Sequence, residues 1–493
     1  MPFEMPTSER PAVVIHGDCL ERMRELDDAS VHVVLTDPPA GIGFMGSSWD
    51  SFRRYVARTA AGRVAELQLG GADLLRRCRS ALAGVEQSHD VEGLVRDLDE
   101  CLGADAAMPA WARGFVVFLV DVWSECKRVL KPGGWLCAWG LPRTTDLLGL
   151  SLRLAGFDLK EVGLHLFGGG KPAGLDLGVA LERKGISAAD RLRGCHTQLR
   201  PGHEHWLVAR RPFERGTTTT STAAEYLTGA FNIDACRVPR CARPLRERAE
   251  TDATGIYGEF ARRGSAAAGE TNEGSFPSDV LLTHADGCLS ERCVVSCPVK
   301  EIDAQSGVRI NGTGAKRKAS AGGARGLVYG KCTAPVGTPQ KCIGDAGGAS
   351  RYFHSFRAAL SRGTARLLAR DRGRLKTHII YLGKRPGRRV PGAMKNEHPT
   401  VKTQALMRWL VRLLATRGGG ERLVVLDPFA GSGSTAEACI AEGVLSISIE
   451  LDEKNVATAL SRVAASLGDV ERAREANATD VRSAAELGQL LLC

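Results

Sequence analysis

Three features of this 493-residue sequence predict a doubly wound α/β domain assembled from both chain ends, with a helical insertion and a loop-rich region between. First, the apolar run at 31–36 (VHVVLT) lacks the polar alternation of a half-exposed sheet, and 444–449 (VLSISI) is a second run of strand length. Continuous runs of that kind suit parallel strands covered on both faces. Second, helix-patterned stretches alternate with the strands, as in βαβ units. Third, a glycine-rich turn, Gly431-Ser432-Gly433, separates a strand from a helix near the C-terminus.

In chain order, 13–16 is a β-branched run closed by Gly17-Asp18, and 19–26 (CLERMREL) has helical spacing. The strand at 31–36 stops at Asp37-Pro38-Pro39, because two prolines forbid further sheet pairing. Residues 51–108 become Arg- and Leu-rich with few turn residues, which predicts the helical insertion. An amphipathic helix at 115–130 should end at Lys131-Pro132-Gly133-Gly134, followed by strands at 135–139, 157–167 and 204–210. Periodicity fades between 216 and 370, a glycine-rich, basic stretch suited to binding. Order returns with a helix at 402–416, a strand at 423–426, a helix at 434–442 closed by Gly443, and the last strand. The expected domains are therefore 1–50 with 109–215 as one half of the α/β domain, 51–108 as the insertion, 216–370 as the binding region, and 371–493 as the other half.

The formal net charge of +10 suits a polyanionic partner, since Lys and Arg gain affinity by releasing phosphate counterions. Arg-rich codon usage is the bland alternative. Lys316-Arg317-Lys318, Arg325 and Arg351 would supply a basic surface. The opening MPFEMPTSERP does not have the charged-then-apolar pattern expected of a leader, and no apolar run approaches the roughly 18 residues of a membrane span. A cytoplasmic protein, monomer or homodimer, with mostly reduced thiols is expected. Among fifteen cysteines, most stand singly. His284, Cys288, Cys293 and Cys297 (HADGCLSERCVVSC) lie close enough for a tetrahedral zinc site, although the spacing is not the paired form of a common zinc ribbon; unliganded thiols are the alternative.

The stretch 423–452 (LVVLDPFAGSGSTAEACIAEGVLSISIELD) runs a strand into Asp427, then a glycine turn, then a helix. Glycines let backbone approach a nucleotide closely at the carboxyl edge of a sheet. Glu450 ends the next strand, where a carboxylate can accept both ribose hydroxyls. No Lys-Ser/Thr pair follows the glycines, which excludes a phosphate loop. Gly431-x-Gly433-x-x-Ala436 also fits a nicotinamide-dinucleotide turn loosely, but such enzymes have no need of an acid at 427.

At the other end, Asp37-Pro38-Pro39 delivered to a sheet edge sets a carboxylate beside a rigid carbonyl, a pair able to accept both hydrogens of an exocyclic amine. The lone pair of such an amine is delocalised into its ring. Orienting it and drawing on its protons makes attack on a sulfonium methyl feasible. An isolated Asp-Pro-Pro is more often a loop turn.

Together and in this order, the two motifs resemble the S-adenosyl-L-methionine-dependent DNA amino-methyltransferases that act on adenine N6 or cytosine N4, in the permuted group with the Asp-Pro-Pro motif first. The resemblance covers about 1–50, 110–210 and 395–465. His16-Gly17-Asp18-Cys19 resembles the segment whose acid meets the cofactor adenine, and Leu130-Lys131-Pro132-Gly133-Gly134 resembles the turn before the fifth strand. His398-Pro399-Thr400-Val401-Lys402 resembles the HPTxKP element flanking the methionine end of the cofactor, with Thr403 where proline is usual. Asn232-Ile233-Asp234 and 301–307 (EIDAQSG) resemble segments of phage- and mobile-element-type members.

The resemblance implies a Rossmann-like methyltransferase domain that binds the cofactor through Asp18, Thr400, Lys402, Asp427, Phe429, Gly431, Gly433 and Glu450. It implies a catalytic motif of Asp37, Pro38, Pro39 and Ala40, double-stranded DNA as partner, and 216–370 as the target-recognition region of a restriction-modification enzyme. An acid at 37, rather than the Ser common in cytosine-N4 enzymes, favours adenine; cytosine N4 and a non-catalytic DNA-binding relative are the alternatives. Ala40 departs from the pattern, because family members place an aromatic there, usually Tyr, to stack on the flipped base. Phe44 and Trp49 lie near enough in sequence to substitute.

Overall fold

The computed structural model describes residues 5–41, 110–168, 174–187, 189–238, 243–246, 267–271, 274–285, 288, 292–295, 297–310, 346–357, 402–415 and 423–468. The expected insertion at 51–108, Phe44, Trp49, Lys316, Arg317, Lys318, Arg325 and Thr400 lie outside them. The chain divides into two compact units, one made of Met1–Leu166, Gly170–Asn232 and Phe356–Cys493, the other of Phe167–Gly169 and Ile233–Ser355. Among the described residues no helix is long and apolar enough to cross a membrane.

The first unit draws on both chain ends. Its elements are β1 (Ala12–His16), α1 (Cys19–Met23), β2 (Val31–Thr36), α2 (Ala110–Val129), β3 (Leu130–Gly140), α3 (Thr145–Leu154), β4 (Asp158–Leu166), α4 (Leu177–Glu182), β5 (His203–Arg210) and α5 (Thr219–Tyr226). After the second unit come α6 (Gln404–Leu414), β6 (Val424–Asp427), α7 (Ser434–Glu442), β7 (Leu445–Glu450) and a last helix α8 at 453–468. The strands run β1-β7-β6-β2-β3-β5-β4 across the sheet. The β1–β7, β7–β6, β6–β2 and β2–β3 ladders are parallel, whereas β5 is antiparallel to both β3 and β4.

Burial explains the absence of alternation in the sequence. All six residues of β2 are buried, because helices cover both faces of the sheet. On one face, Phe115, Leu119 and Trp123 of α2 and Leu148 and Leu152 of α3 pack with Val34, Leu136, Ala138, Leu426 and Ile447. Each fully buried Leu, Ile, Val or Phe of this set contributes about 1.5–3 kcal/mol. The Trp123 indole N–H is satisfied inside this core by Ser151 Oγ at 2.9 Å. Trp206 of β5 meets Trp409 of α6 edge-on at 6.3 Å, and Ala436 and Ile440 of α7 pack with Ala12 of β1 and Val463 of α8. This is a doubly wound α/β fold.

Several expected boundaries move. The helix expected at 115–130 spans Ala110–Val129 and stops, as expected, before Lys131-Pro132-Gly133-Gly134, but the strand expected from 135 already begins at Leu130 and takes that segment in. The β2–β3 ladder passes from Val31↔Leu130 to Val33↔Trp135, so the Pro-Gly-Gly residues form an irregularity within the pairing. Gly133 adopts φ +74°, its N–H turns to Arg211 O at 3.2 Å, and a Cβ on Gly134 would lie 2.9 Å from His32 O. Proline and glycine here serve a bulge. The helix expected at 19–26 ends at Met23.

The second unit is built of short pieces: an antiparallel pair Arg243–Arg246 with Ala267–Thr271, the strand Val280–Thr283, the helix Pro298–Ser306, and a two-residue pairing of Arg309–Ile310 with Ala346–Gly347. Asp303 of its helix ties down Ser350 through the backbone N–H at 2.8 Å and the hydroxyl at 2.6 Å.

Candidate active site at the carboxyl edge of the sheet

β6 and β2 are neighbours, yet the chain leaves β6 through α7 toward β7 on one side and passes from β2 through α2 to β3 on the other. Such a reversal opens a crevice at the carboxyl ends of the strands, where ligands of doubly wound sheets bind. Asp427 is the last residue of β6, and Asp37 directly follows β2. The pairing Leu426↔Val34 therefore brings together two motifs from opposite ends of the sequence.

Asp427 is buried and spent on the scaffold. Its Oδ1 accepts from Thr36 Oγ1 at 2.7 Å and from the Phe429 N–H at 3.1 Å, and its Oδ2 accepts from Thr435 Oγ1 at 2.6 Å. Burial pushes its carboxyl up to about 6, with those three donors pulling the other way. Its role is to fix the turn that follows. There, Gly431 (φ +52°) and Gly433 (φ +81°) are left-handed, and a Cβ on Gly433 would lie 2.9 Å from the Ala459 methyl. The Gly431 N–H donates to Glu450 Oε2 at 2.7 Å, while Glu450 Oε1 accepts from the Asp452 N–H at 2.9 Å. A carboxylate, a turn with glycine at 431 and 433 and the partly buried ring of Phe429 thus share one edge, an arrangement able to hold a nucleoside.

Asp18 caps α1, accepting from the Leu20 and Glu21 N–H groups at 2.9 and 3.3 Å. The Gly17 N–H donates to Glu450 O at 3.0 Å, so Asp18 and Glu450 sit at the ends of adjacent strands. The acid associated from sequence with a cofactor adenine is at least in part a helix cap.

On the other side of the crevice the sequence reading missed a contact. The Lys402 ammonium lies 3.0 Å from Asp37 Oδ2 and 3.0 Å from Glu204 Oε2, and 5.4 Å from the centre of the Trp139 ring. Burial alone would depress Lys402, but the two carboxylates outweigh it and hold its pKa above the ordinary lysine value. Burial likewise works against an ionised Glu204, yet Lys402 and His165 prevail and hold it at about 2. Sequence placed Lys402 beside the cofactor; the structure brings it to Asp37. The available signal for Glu204 was a carboxylate just ahead of the apolar run 206–209 (WLVA) of the same strand.

Pro38 is buried, and the backbone after it is pinned: Ala40 O accepts from Thr144 Oγ1 at 3.0 Å, and Gly41 (φ +72°) packs so tightly that a Cβ would meet the Phe115 ring at 2.8 Å. His284, Cys288, Cys293 and Cys297 also converge, in the second unit, with their ligand atoms within 4.8 Å of one another.

Residues 369–461 match the family model of N6/N4-type DNA methylases. No curated protein matches the chain by sequence. Solved structures similar to it include PvuII DNA methyltransferase, described as cytosine-N4-specific (11% identity, TM-score 0.37, covering 93% of this chain and 87% of that one). The M1.HpyAVI–SAM complex is another (11% identity, TM-score 0.33, 92% and 98%). A third is the DNA-modification-methylase protein of Thermus thermophilus complexed with S-adenosyl-L-methionine (13% identity, TM-score 0.32, 92% and 95%).

Proposed function

We propose, with the DNA methylase segment at 369–461 as premise, that this chain transfers a methyl group from S-adenosyl-L-methionine to an exocyclic amine of a base in double-stranded DNA, adenine N6 in preference to cytosine N4. One observation carries the proposal. The Thr36–Asp427 hydrogen bond and the β2–β6 ladder set Asp37-Pro38-Pro39 beside the glycine turn at the sheet's switch point.

The residues present fit the cofactor. Glu450, with Asp18 beside it, would hold the adenosine end, Gly431 and Gly433 would let backbone approach, and Phe429 would pack against it. When bound, the cofactor supplies an electrophilic methyl on a sulfonium centre.

The chain's own residues act on the amine. The Asp37 carboxylate and the Pro38 carbonyl accept its two hydrogens and aim the nitrogen lone pair. As the nitrogen gains positive charge, the carboxylate stabilises it, and preorganised charge of this kind is a large part of catalysis. Lys402 holds the Asp37 carboxylate in place, and Glu204 anchors Lys402 from the far side. The acid at 37 supports adenine over cytosine. The segment 216–370 is the proposed target-recognition region, with the halves of the catalytic domain at 1–50 with 109–215 and at 371–493.

The test is nucleoside mass spectrometry of duplex DNA incubated with the protein and S-adenosyl-L-methionine. N6-methyldeoxyadenosine is the expected product. N4-methyldeoxycytidine would overturn the adenine assignment, and cofactor binding with neither product would make the chain a non-catalytic relative.

A further inference from the structure

The methyl-transfer reading leaves unused the cluster of soft ligands in the second unit. His284 directly follows the strand Val280–Thr283, and Cys297 is the N-cap residue of the helix Pro298–Ser306. Cys288 and Cys293 lie on the segment between. His284, Cys288 and Cys297 are all buried, at 5%, 6% and 0% exposure. His284 Nδ1 is 3.3 Å from Cys293 Sγ and 3.4 Å from Cys297 Sγ. One imidazole nitrogen has a single lone pair and satisfies one thiol at a time, so hydrogen bonding alone does not account for this convergence.

Coordination does account for it. Zinc bonds of about 2.3 Å to sulfur and about 2.0–2.1 Å to nitrogen, arranged tetrahedrally, set ligand atoms roughly 3.5–3.8 Å apart. The His284 contacts approach that separation, and all four ligand atoms fall within 4.8 Å. Three sulfurs and one imidazole select a soft or borderline cation over calcium or magnesium, and four protein ligands leave no open position, as in structural rather than catalytic sites. The outer contacts fit too. The Val294 N–H points at Cys288 Sγ at 3.4 Å, and the start of the helix offers a favourable field to a thiolate at Cys297.

We propose that the second unit holds one structural zinc ion on His284 Nδ1 and the thiolates of Cys288, Cys293 and Cys297. The three thiols release their protons to solvent as the ion binds. The ion joins the end of Val280–Thr283 to the beginning of Pro298–Ser306, a clip in a unit whose described strands are no longer than five residues. Small folds with little core commonly need such a staple.

The test reads metal content and is independent of methyl transfer. Full-length protein purified without chelators should carry about one equivalent of zinc by elemental analysis. Cys293→Ser and Cys297→Ser should each lose most of it, whereas Cys195→Ser, at an exposed thiol of the first unit, should keep it. Exchange with cobalt(II) should give the absorption of a tetrahedral thiolate site. Because Cys297 is fully buried, S-adenosyl-L-methionine binding by each variant reports whether the first unit stays folded. Zinc-free protein that gives no tetrahedral cobalt spectrum on titration overturns the proposal, as does a disulfide among these cysteines in place of metal. Retention of zinc by both Ser variants with cofactor binding intact also overturns it.

Discussion

Ala40 sits in backbone that does not depend on its own side chain. Thr144 holds its carbonyl, and Gly41 is wedged against Phe115. A larger residue at 40 therefore leaves the Asp37 and Pro38 contacts where they are. Base–aromatic stacking is worth about 1–3 kcal/mol, roughly tenfold to more than a hundredfold in rate where it holds the extruded base. Ala40→Tyr should raise methyl incorporation into DNA by about tenfold or more, with cofactor affinity by calorimetry unchanged. A slower Tyr variant would mean that the base stacks on a different ring. Asp427 behaves in the opposite way, because its neighbours depend on it. Asp427→Ala orphans the Thr36 and Thr435 hydroxyls, at about 1–3 kcal/mol each. Denaturant unfolding should register that loss, and calorimetry should show cofactor affinity falling with it; an equally stable variant with full affinity would remove Asp427 from the account.

At the scale of elements, the junction of β2 with β6 carries a built-in pH dependence. His32 Nδ1 accepts from the Val424 N–H at 3.1 Å, which requires neutral imidazole. Burial, aided by the Lys131 charge, lowers the His32 pKa to about 4, against an unfolded value near 6.5. Above about pH 6.5 both states are neutral and the contribution is complete; as pH falls toward 4 the unfolded chain takes up the proton first and stability is lost. Thermal melts should show wild type losing stability across that window more steeply than His32→Asn, whose amide oxygen can keep the contact without titrating. Parallel curves would contradict the assignment. The same junction shows what sequence could reveal. β2 was legible because a strand covered on both faces suits a continuous apolar run, and α7 and β7 because glycines mark the turn before each. Leu130 to Gly134 was legible as the stop of the preceding helix but not as strand, since Pro-Gly-Gly gives no sign that sheet pairing continues through a bulge. The Lys402–Glu204 pairing was hidden for a different reason: it joins residues far apart in the chain whose meeting is decided by strand order.

For the whole molecule, the sheet closes only when the two ends of the chain meet, and the crevice exists because they meet at β2 and β6. A net charge of +10 suits the polyanion such a crevice would serve. Sequence order alone, with the Asp-Pro-Pro strand first and the glycine turn last, conveyed that arrangement; the side-chain partners of Asp37 emerged only in three dimensions. The claim at the centre is that Asp37 acts on the amine while the glycine turn holds the cofactor. Labelled-methyl transfer to duplex DNA by wild type and Asp37→Asn, with calorimetry of S-adenosyl-L-methionine on both, separates the two roles. The expected result is transfer by wild type, about 10²–10³-fold less by Asp37→Asn, and equal cofactor affinity. Transfer by Asp37→Asn at the wild-type rate would contradict it.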